Sequence, residues 1–352
     1  MAVFPHPKSL LRLCLSFLTT GLITIGTGFP TAAHAENEAG WDVTKINGKE
    51  YVAVEGVKNF YKFTSFKQSG DRLVLDSKSI EMKLQVGAQE CLMNNVKFIL
   101  SNPVVEQGSK TYVSRLDLTK LIDPVLRPQF ISDAGNFRTI ILDPGHGGKD
   151  PGSTNSIGTE ANYTLKLAYR VKAILESRPE RFRVIMTRDS DRYVSLQGRV
   201  DIANAVQENA LFISLHFNSG GRSARGIETF TLSPPGVAHY GRGVVAADSI
   251  SRAGNQHDSA NIALATAVHG YTLRLLQKKG VTTFDRGIKR ARFSVLSGVR
   301  HPAILFEGGF MSNPYEAKLI SSDAYQNLIA ESVVYAVECY RSNVSTATAG
   351  RR

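Results

Sequence analysis

Cysteine is scarce: the 352 residues contain three, and one of them, Cys14, sits in an apolar run near the start. The other two, Cys91 and Cys339, lie far apart with no framework spacing, which argues against a disulfide-stapled scaffold and leaves both thiols expected unpaired. Long hydrophobic runs are scarce as well. The stretch from Cys14 to about Ile25 falls short of the roughly 20 apolar residues that a span requires, Gly21, Gly26, Gly28 and Pro30 interrupt or follow it, and no later stretch does better. Acidic residues are absent before Glu36, where the chain carries Lys8 and Arg12, then the apolar run, then Ala33-His34-Ala35. That order reads as a secretory signal peptide over 1–35, cut after Ala35, and predicts a protein exported to the periplasm or cell wall without stable membrane insertion. Leu13 precedes Cys14 where a lipoprotein has a small residue, so no lipid anchor is expected. A nucleic-acid motif of specific spacing is also lacking, and no nucleic-acid partner is expected.

What is present is a basic, globular composition. The 42 Lys and Arg outnumber the 31 Asp and Glu, giving a net charge of +11, which falls to +9 once Lys8 and Arg12 leave with the signal peptide. A basic exported protein suits an anionic polymer. At 42% hydrophobic and 21% charged, the chain is long enough for two domains.

From Trp41 to about Arg127 short strands alternate with turn signals: Asn47-Gly48, Ser69-Gly70-Asp71 and Asn94-Asn95, with Ile80, Met82, Leu84 and Val86 in strict alternation. We expect a small mostly-β domain over 36–127 and a linker over 128–137, where Pro124, Pro128 and Gly135 cluster in or near it. NNVKFILSNPVVEQGSKTYVSRLDL loosely resembles the small domain at the front of copper amine oxidases and many bacterial surface proteins, without their copper-binding parts. A scaffold or wall-adhesion role is expected of it.

Beyond the linker, periods of 2 and 3.6 alternate: strands at 139–142, 182–187, 211–215, 226–232, 292–296 and 303–306, and helices from Glu160 to about Ser177, Ser195 to about Asn209, Ser259 to Lys279, and one last helix holding Tyr325, Leu328, Ile329, Val333, Ala336 and Tyr340. This predicts an α/β domain over 138–342, a three-layer αβα arrangement around a mostly parallel twisted sheet, and a tail over 343–352. Three polar residues follow strands in it: His146 after TIIL in TIILDPGHGGKDPGS, His216 after LFISL, and Glu307 after AILF. Open α/β sheets place ligands at such carboxyl ends. Glu160 lies in a first helical turn, on the face of Leu167, Val171 and Ile174, and looks inward. Singly, each has an ordinary explanation: a loop histidine, a helix-dipole acid, a core histidine, a buried ion-pair partner. Together, two histidines and a carboxylate with an open position make a catalytic zinc pattern, and a further free carboxylate moves protons.

DPGHGGKDPGS, the Glu160 helix, TRDSDRYVSLQGRVDIAN, LFISLHFNS, RGIKRARFSVL and FEGGFMSNPYEAKLI follow in order the signature of the zinc-dependent N-acetylmuramoyl-L-alanine amidases of the amidase-3 family, which the chain resembles over about 138–341. The resemblance implies His146, Glu160 and His216 as ligands of Zn2+ and Glu307 as the catalytic carboxylate. It also implies peptidoglycan as the substrate, cut between N-acetylmuramic acid and L-alanine, for wall remodelling or daughter-cell separation. Asn218 and Arg286 are expected to meet substrate, and Asp143, Arg188 and Arg199 to support the rim. The Pro- and Gly-rich segment 233–261 reads as a mobile flap over the metal, with no long amphipathic helix to plug the site, so no activator protein is required. Two other functions stay open: a zinc carboxypeptidase-like peptidase and a wall-binding protein with a dead site.

Overall fold

The computed structural model describes residues 41–131, 136–179 and 182–345. The signal peptide expected over 1–35 and most of the tail lie outside them. The chain divides into two compact units, Met1–Ile131 and Ser132–Arg352.

The first unit is mostly β. One sheet orders β1 (Val43–Ile46) and β2 (Lys49–Ala53) with β9 (Lys110–Ser114) and β8 (Val105–Gln107). Helix α1 (Val54–Phe60) follows β2 directly. A meander of β3 (Ser65–Ser69), β4 (Arg72–Asp76), β5 (Glu81–Gln85), β6 (Glu90–Met93) and β7 (Val96–Ile99) pairs antiparallel throughout. Its alternation is the expected one: Leu73, Leu75, Met82, Leu84, Cys91 and Met93 are buried, and their neighbours look outward.

The second unit has helices on both faces of a mixed sheet. Its strands run β13 (Arg183–Met186), β10 (Thr139–Pro144), β14 (Ala210–Asn218), β17 (Ala303–Phe310), β15 (Ile227–Leu232) and β16 (Asp285–Ala291). Neighbours pair parallel except β15 with β17, which is antiparallel. β10, β15 and β17 are buried along their whole length, which is why IIL in β10 and AILF in β17 read as continuous apolar runs. One face is covered by α2 (Glu160–Ser177), α4 (Asp258–Lys278) and α7 (Asp323–Ser345), which pack on one another. On the other face α3 (Leu196–Asn204) and α5 (Ser294–Gly298) close a core of Ile141, Phe212, Phe230 and Leu305 with Val200, Val295 and Leu296. α6 (Pro314–Ser321) follows β17.

The last helix holds Tyr325, Leu328, Ile329, Val333, Ala336 and Tyr340 as expected, and Ser322, with extended backbone (φ −87°, ψ 139°), divides it from α6. Two local expectations shift. The strand read at 292–296 is instead the strand β16 followed by the short helix α5, because the buried cationic residues Lys289 and Arg290 masked the strand period. His216 and Glu307 lie within β14 and β17 rather than after them, directly opposite each other in parallel register. Cys91 and Cys339 are both buried and form no disulfide.

Candidate metal centre

Local sequence places each side chain of the site. β10 ends at Pro144, and the chain turns through Gly145, whose N–H donates to Leu215 O at 3.0 Å. A Cβ at Gly145 would lie 2.2–2.6 Å from three atoms of the His216 ring, so the ring occupies space that only glycine leaves. His146 follows with φ +61°, a left-handed conformation that L side chains rarely adopt. Two buried arginines hold that turn. Arg188 donates to Pro144 O, Gly145 O and Ala161 O, and Arg199 donates to Pro144 O and His146 O. Asp143, 1% exposed, accepts from Arg199 at 2.7 Å, Thr187 at 2.6 Å and Ser214 at 2.7 Å. Asp143, Arg188 and Arg199 thus brace the loop from beneath.

Glu160 opens α2, whose N-cap Thr159 accepts from Asn162 N. Its carboxylate reaches both histidines: Oε1 is 2.9 Å from His216 Nδ1 and Oε2 is 3.2 Å from His146 Nε2. The N–H groups of Phe217 and Ser153 donate to the same two oxygens and fix their direction. His146 Nδ1 lies 2.9 Å from Asp150, which orients the imidazole from behind. Burial raises the Glu160 carboxyl, but the bonds with His146 and His216 outweigh it and hold the group well below the usual carboxylate range. Burial lowers the His146 imidazole, and Glu160 and then Asp150 more than reverse it, so it titrates above its ordinary value.

His146, Glu160 and His216 each offer a ligand atom, and these atoms lie within 4.8 Å of one another. Two imidazoles and one carboxylate, partly open to solvent, form the donor set of a catalytic zinc with a free position. A divalent cation among them would take up the charge that crowds the histidines against Glu160 here, so the residues fit a metal.

Glu307 stands beside this group. It is 8% exposed, and its Oε2 has no hydrogen-bond partner among the described residues. Burial, then the neighbouring Glu160 and Glu228 carboxylates, push its carboxyl well above the ordinary value, with Lys289 opposing. An orphaned buried carboxylate oxygen beside a metal-competent cluster is available to hold and release a proton.

Several members were not read from the sequence. Glu228, 4% exposed, faces Glu307 across the antiparallel β15–β17 pair. It accepts from Asn218 Nδ2, Arg286 Nε at 3.0 Å and Lys289 Nζ. The signal was there in the lone acid of IETFTL and the three cationic residues of RGIKRA, but the pairing was not. Asp150 was missed similarly, four residues after His146 in the same loop. Asn218 also accepts from Ser219 N at 2.7 Å, so the amide is engaged by protein on both ends. Arg286 keeps 37% of its side chain exposed.

Segment 233–257 is anchored rather than loose. β15 runs antiparallel to β17, so the chain leaves it at the opposite end of the sheet from His146. There Arg292 donates to Pro234 O, Val237 O and Asp248 O, while Asp248, fully buried, receives both terminal nitrogens of Arg242 at 2.8 Å. Gly254 sits where a Cβ would lie 2.1 Å from Leu296 O. These contacts reach the far end of β16, in place of the expected flap over the metal.

A family model described as N-acetylmuramoyl-L-alanine amidase matches residues 140–339. The chain is 35% identical over 196 residues to an endolysin of Bacillus phage SPP1, covering 55% of this chain and 62% of that protein. It is 32% identical over 190 residues to the sporulation-specific N-acetylmuramoyl-L-alanine amidase of Bacillus subtilis, covering 54% and 63%. This chain therefore spans about six tenths of the length of those curated relatives. Among solved structures, N-acetylmuramoyl-L-alanine amidase AmiC2 of Nostoc punctiforme is 30% identical, covering 59% of this chain and 99% of that one at a TM-score of 0.48.

Proposed function

The chain belongs to the amidase-3 family of N-acetylmuramoyl-L-alanine amidases, and from that premise we propose that it is a zinc-dependent hydrolase of peptidoglycan that cuts the amide between N-acetylmuramic acid and L-alanine. One observation carries the reading: His146, Glu160 and His216 converge, and Glu307, with an oxygen that has no partner among the described residues, lies opposite His216 on the adjacent strand.

When bound by His146, Glu160 and His216, zinc would supply Lewis acidity, easing deprotonation of a water and polarising the amide carbonyl. Glu307 takes the proton of the attacking water as the oxygen–carbon bond forms. It then delivers that proton to the leaving nitrogen as the carbon–nitrogen bond breaks, and regains its carboxylate. Asp150 keeps the His146 ring in place, and the braced turn over 143–146 keeps the ligand geometry fixed while charge moves.

The reading extends to export, to wall remodelling or cell separation, and to activity without a partner protein; the anchored segment 233–257 supports the last point. Mass spectrometry of products from purified peptidoglycan tests it. An amidase releases intact stem peptides with a free L-alanine amine. Release of single amino acids would identify a carboxypeptidase instead, and no release with zinc bound would identify a wall-binding protein.

A further inference from the structure

At the edge of the sheet that carries the metal group lies a second set of charges that the hydrolytic step does not use. Arg225 lies two residues before β15 and Arg286 lies at the start of β16, two parallel strands in register with Ile227 opposite Asp285. Gly226 separates them so tightly that a Cβ there would meet the Arg286 side chain at 2.9 Å. Each guanidinium rests on an aromatic ring: Arg225 lies 4.4 Å from the centroid of Phe284, which is 47% exposed, and Arg286 lies 4.7 Å from that of Phe310.

The carboxylates nearby are committed inward. Glu228 binds only Nε of Arg286, and its remaining capacity goes to Asn218 and Lys289. Glu316, buried beneath the strand ends, accepts from Gly226 N and Phe310 N at 2.8 Å each. Among the described residues no acceptor bonds the terminal nitrogens of Arg286 or the guanidinium of Arg225. Two planar forks, each stacked and one clamped from behind, are left facing solvent at the same end of the sheet as Glu307, a geometry made for carboxylate.

We propose that Arg225 and Arg286 form a subsite that reads a free carboxylate on the stem peptide, and that Glu228 is a positioning residue that fixes Arg286. This rests on the amide-hydrolase reading above. β16 lies two strands from β17, about 10 Å at the usual strand spacing. An extended peptide covers about 3.3–3.6 Å per residue, so the carboxylate read here belongs to the second or third residue beyond the cut amide. The substrate class is therefore an acidic stem, and amidation of that carboxyl removes the handle.

The test uses muramoyl peptides that differ only in a free or amidated carboxyl at the second or third residue, with the full mature chain. For the unmodified protein the ratio of kcat/KM, free over amidated, is expected at about tenfold or more, the scale of one lost charge-assisted bond pair. Arg286→Gln should bring the ratio close to one, Arg286→Lys should restore part of it, and Glu228→Gln should lower it through KM with zinc content unchanged. A ratio near one in the unmodified protein, or an unaltered ratio in Arg286→Gln, overturns the proposal. If Arg286→Gln does not fold, Arg225→Gln and the unmodified protein decide by the same ratio. Calorimetric titration of the two peptides reads the subsite without turnover: if neither peptide is cut, the hydrolase reading fails, while a preference for the free carboxylate still upholds the subsite and equal binding still refutes it.

Discussion

Glu307 separates chemistry from metal binding at a single residue. Its amide analogue is nearly isosteric, and one of its oxygens has no described partner to lose. Glu307→Gln should keep the fold and the zinc and lose about 10²–10⁴-fold in rate, the usual contribution of acid–base transfer. Zinc content, melting temperature and wall hydrolysis on that one variant decide it; a folded, zinc-loaded protein with near-normal turnover would remove Glu307 from the mechanism. Gly145 sets the opposite case. Gly145→Ala puts a methyl into the His216 ring, within 2.6 Å of three of its atoms, so the ring must move. We expect zinc well below one ion per chain and activity lost with it, in a protein whose circular dichroism is unchanged. Metal analysis at full occupancy would show that the ring tolerates the shift.

Among the elements, the reversed strand β15 has the widest consequences. Because it opposes β17, it brings Glu228 against Glu307 and sends segment 233–257 to the far end of the sheet. Asp248 anchors that segment, and its carboxyl is held well below the ordinary 3.8, first by the Arg242 bond and then by Val245 N. A depressed carboxyl stabilises the fold above its unfolded value, and that contribution fades as pH falls below about 3.8 toward the folded value. Asp248→Asn should therefore melt lower than the unmodified protein at pH 7 and show a shallower loss of melting temperature between pH 4 and 2. Parallel acid slopes for the two proteins would mean that Asp248 is not the group that titrates. Arg242 is 39% exposed, so part of the pH 7 difference should shrink in high salt.

For the whole molecule the relevant quantity is the charge, +11 for the full sequence. An excess of that size favours an anionic wall polymer through contacts that salt screens, with a Debye length of about 8 Å at 0.15 M falling to about 3 Å at 1 M. Co-sedimentation with purified wall should weaken several-fold between about 0.05 and 0.5 M salt while the melting temperature stays level. Retention that ignores salt would point to binding by shape and hydrogen bonds instead. No helix among the described residues is long and apolar enough to cross a membrane.

The linear chain by itself determined the α/β class and the mostly-β first unit, and it singled out His146, Glu160, His216 and Glu307 as candidates. These are local matters: a strand followed by a glycine turn, a helix with an inward first-turn acid, and apolar runs that stop at a polar residue each leave a signature within about ten residues. Pairing between strands is not local. That β15 lies between β17 and β16, antiparallel to the first and parallel to the second, so that Glu228 faces Glu307 while Lys289, Arg286 and Asn218 gather on it, depends on which strands become neighbours and in which sense, and the residue order within IETFTL and RGIKRA fits either direction. The anchoring of segment 233–257 by Arg292 was hidden for the same reason, since its partners lie 44 to 58 residues away. Tertiary structure decided these because a buried charge is tolerable only beside its counter-charges, and the fold is what brings those together.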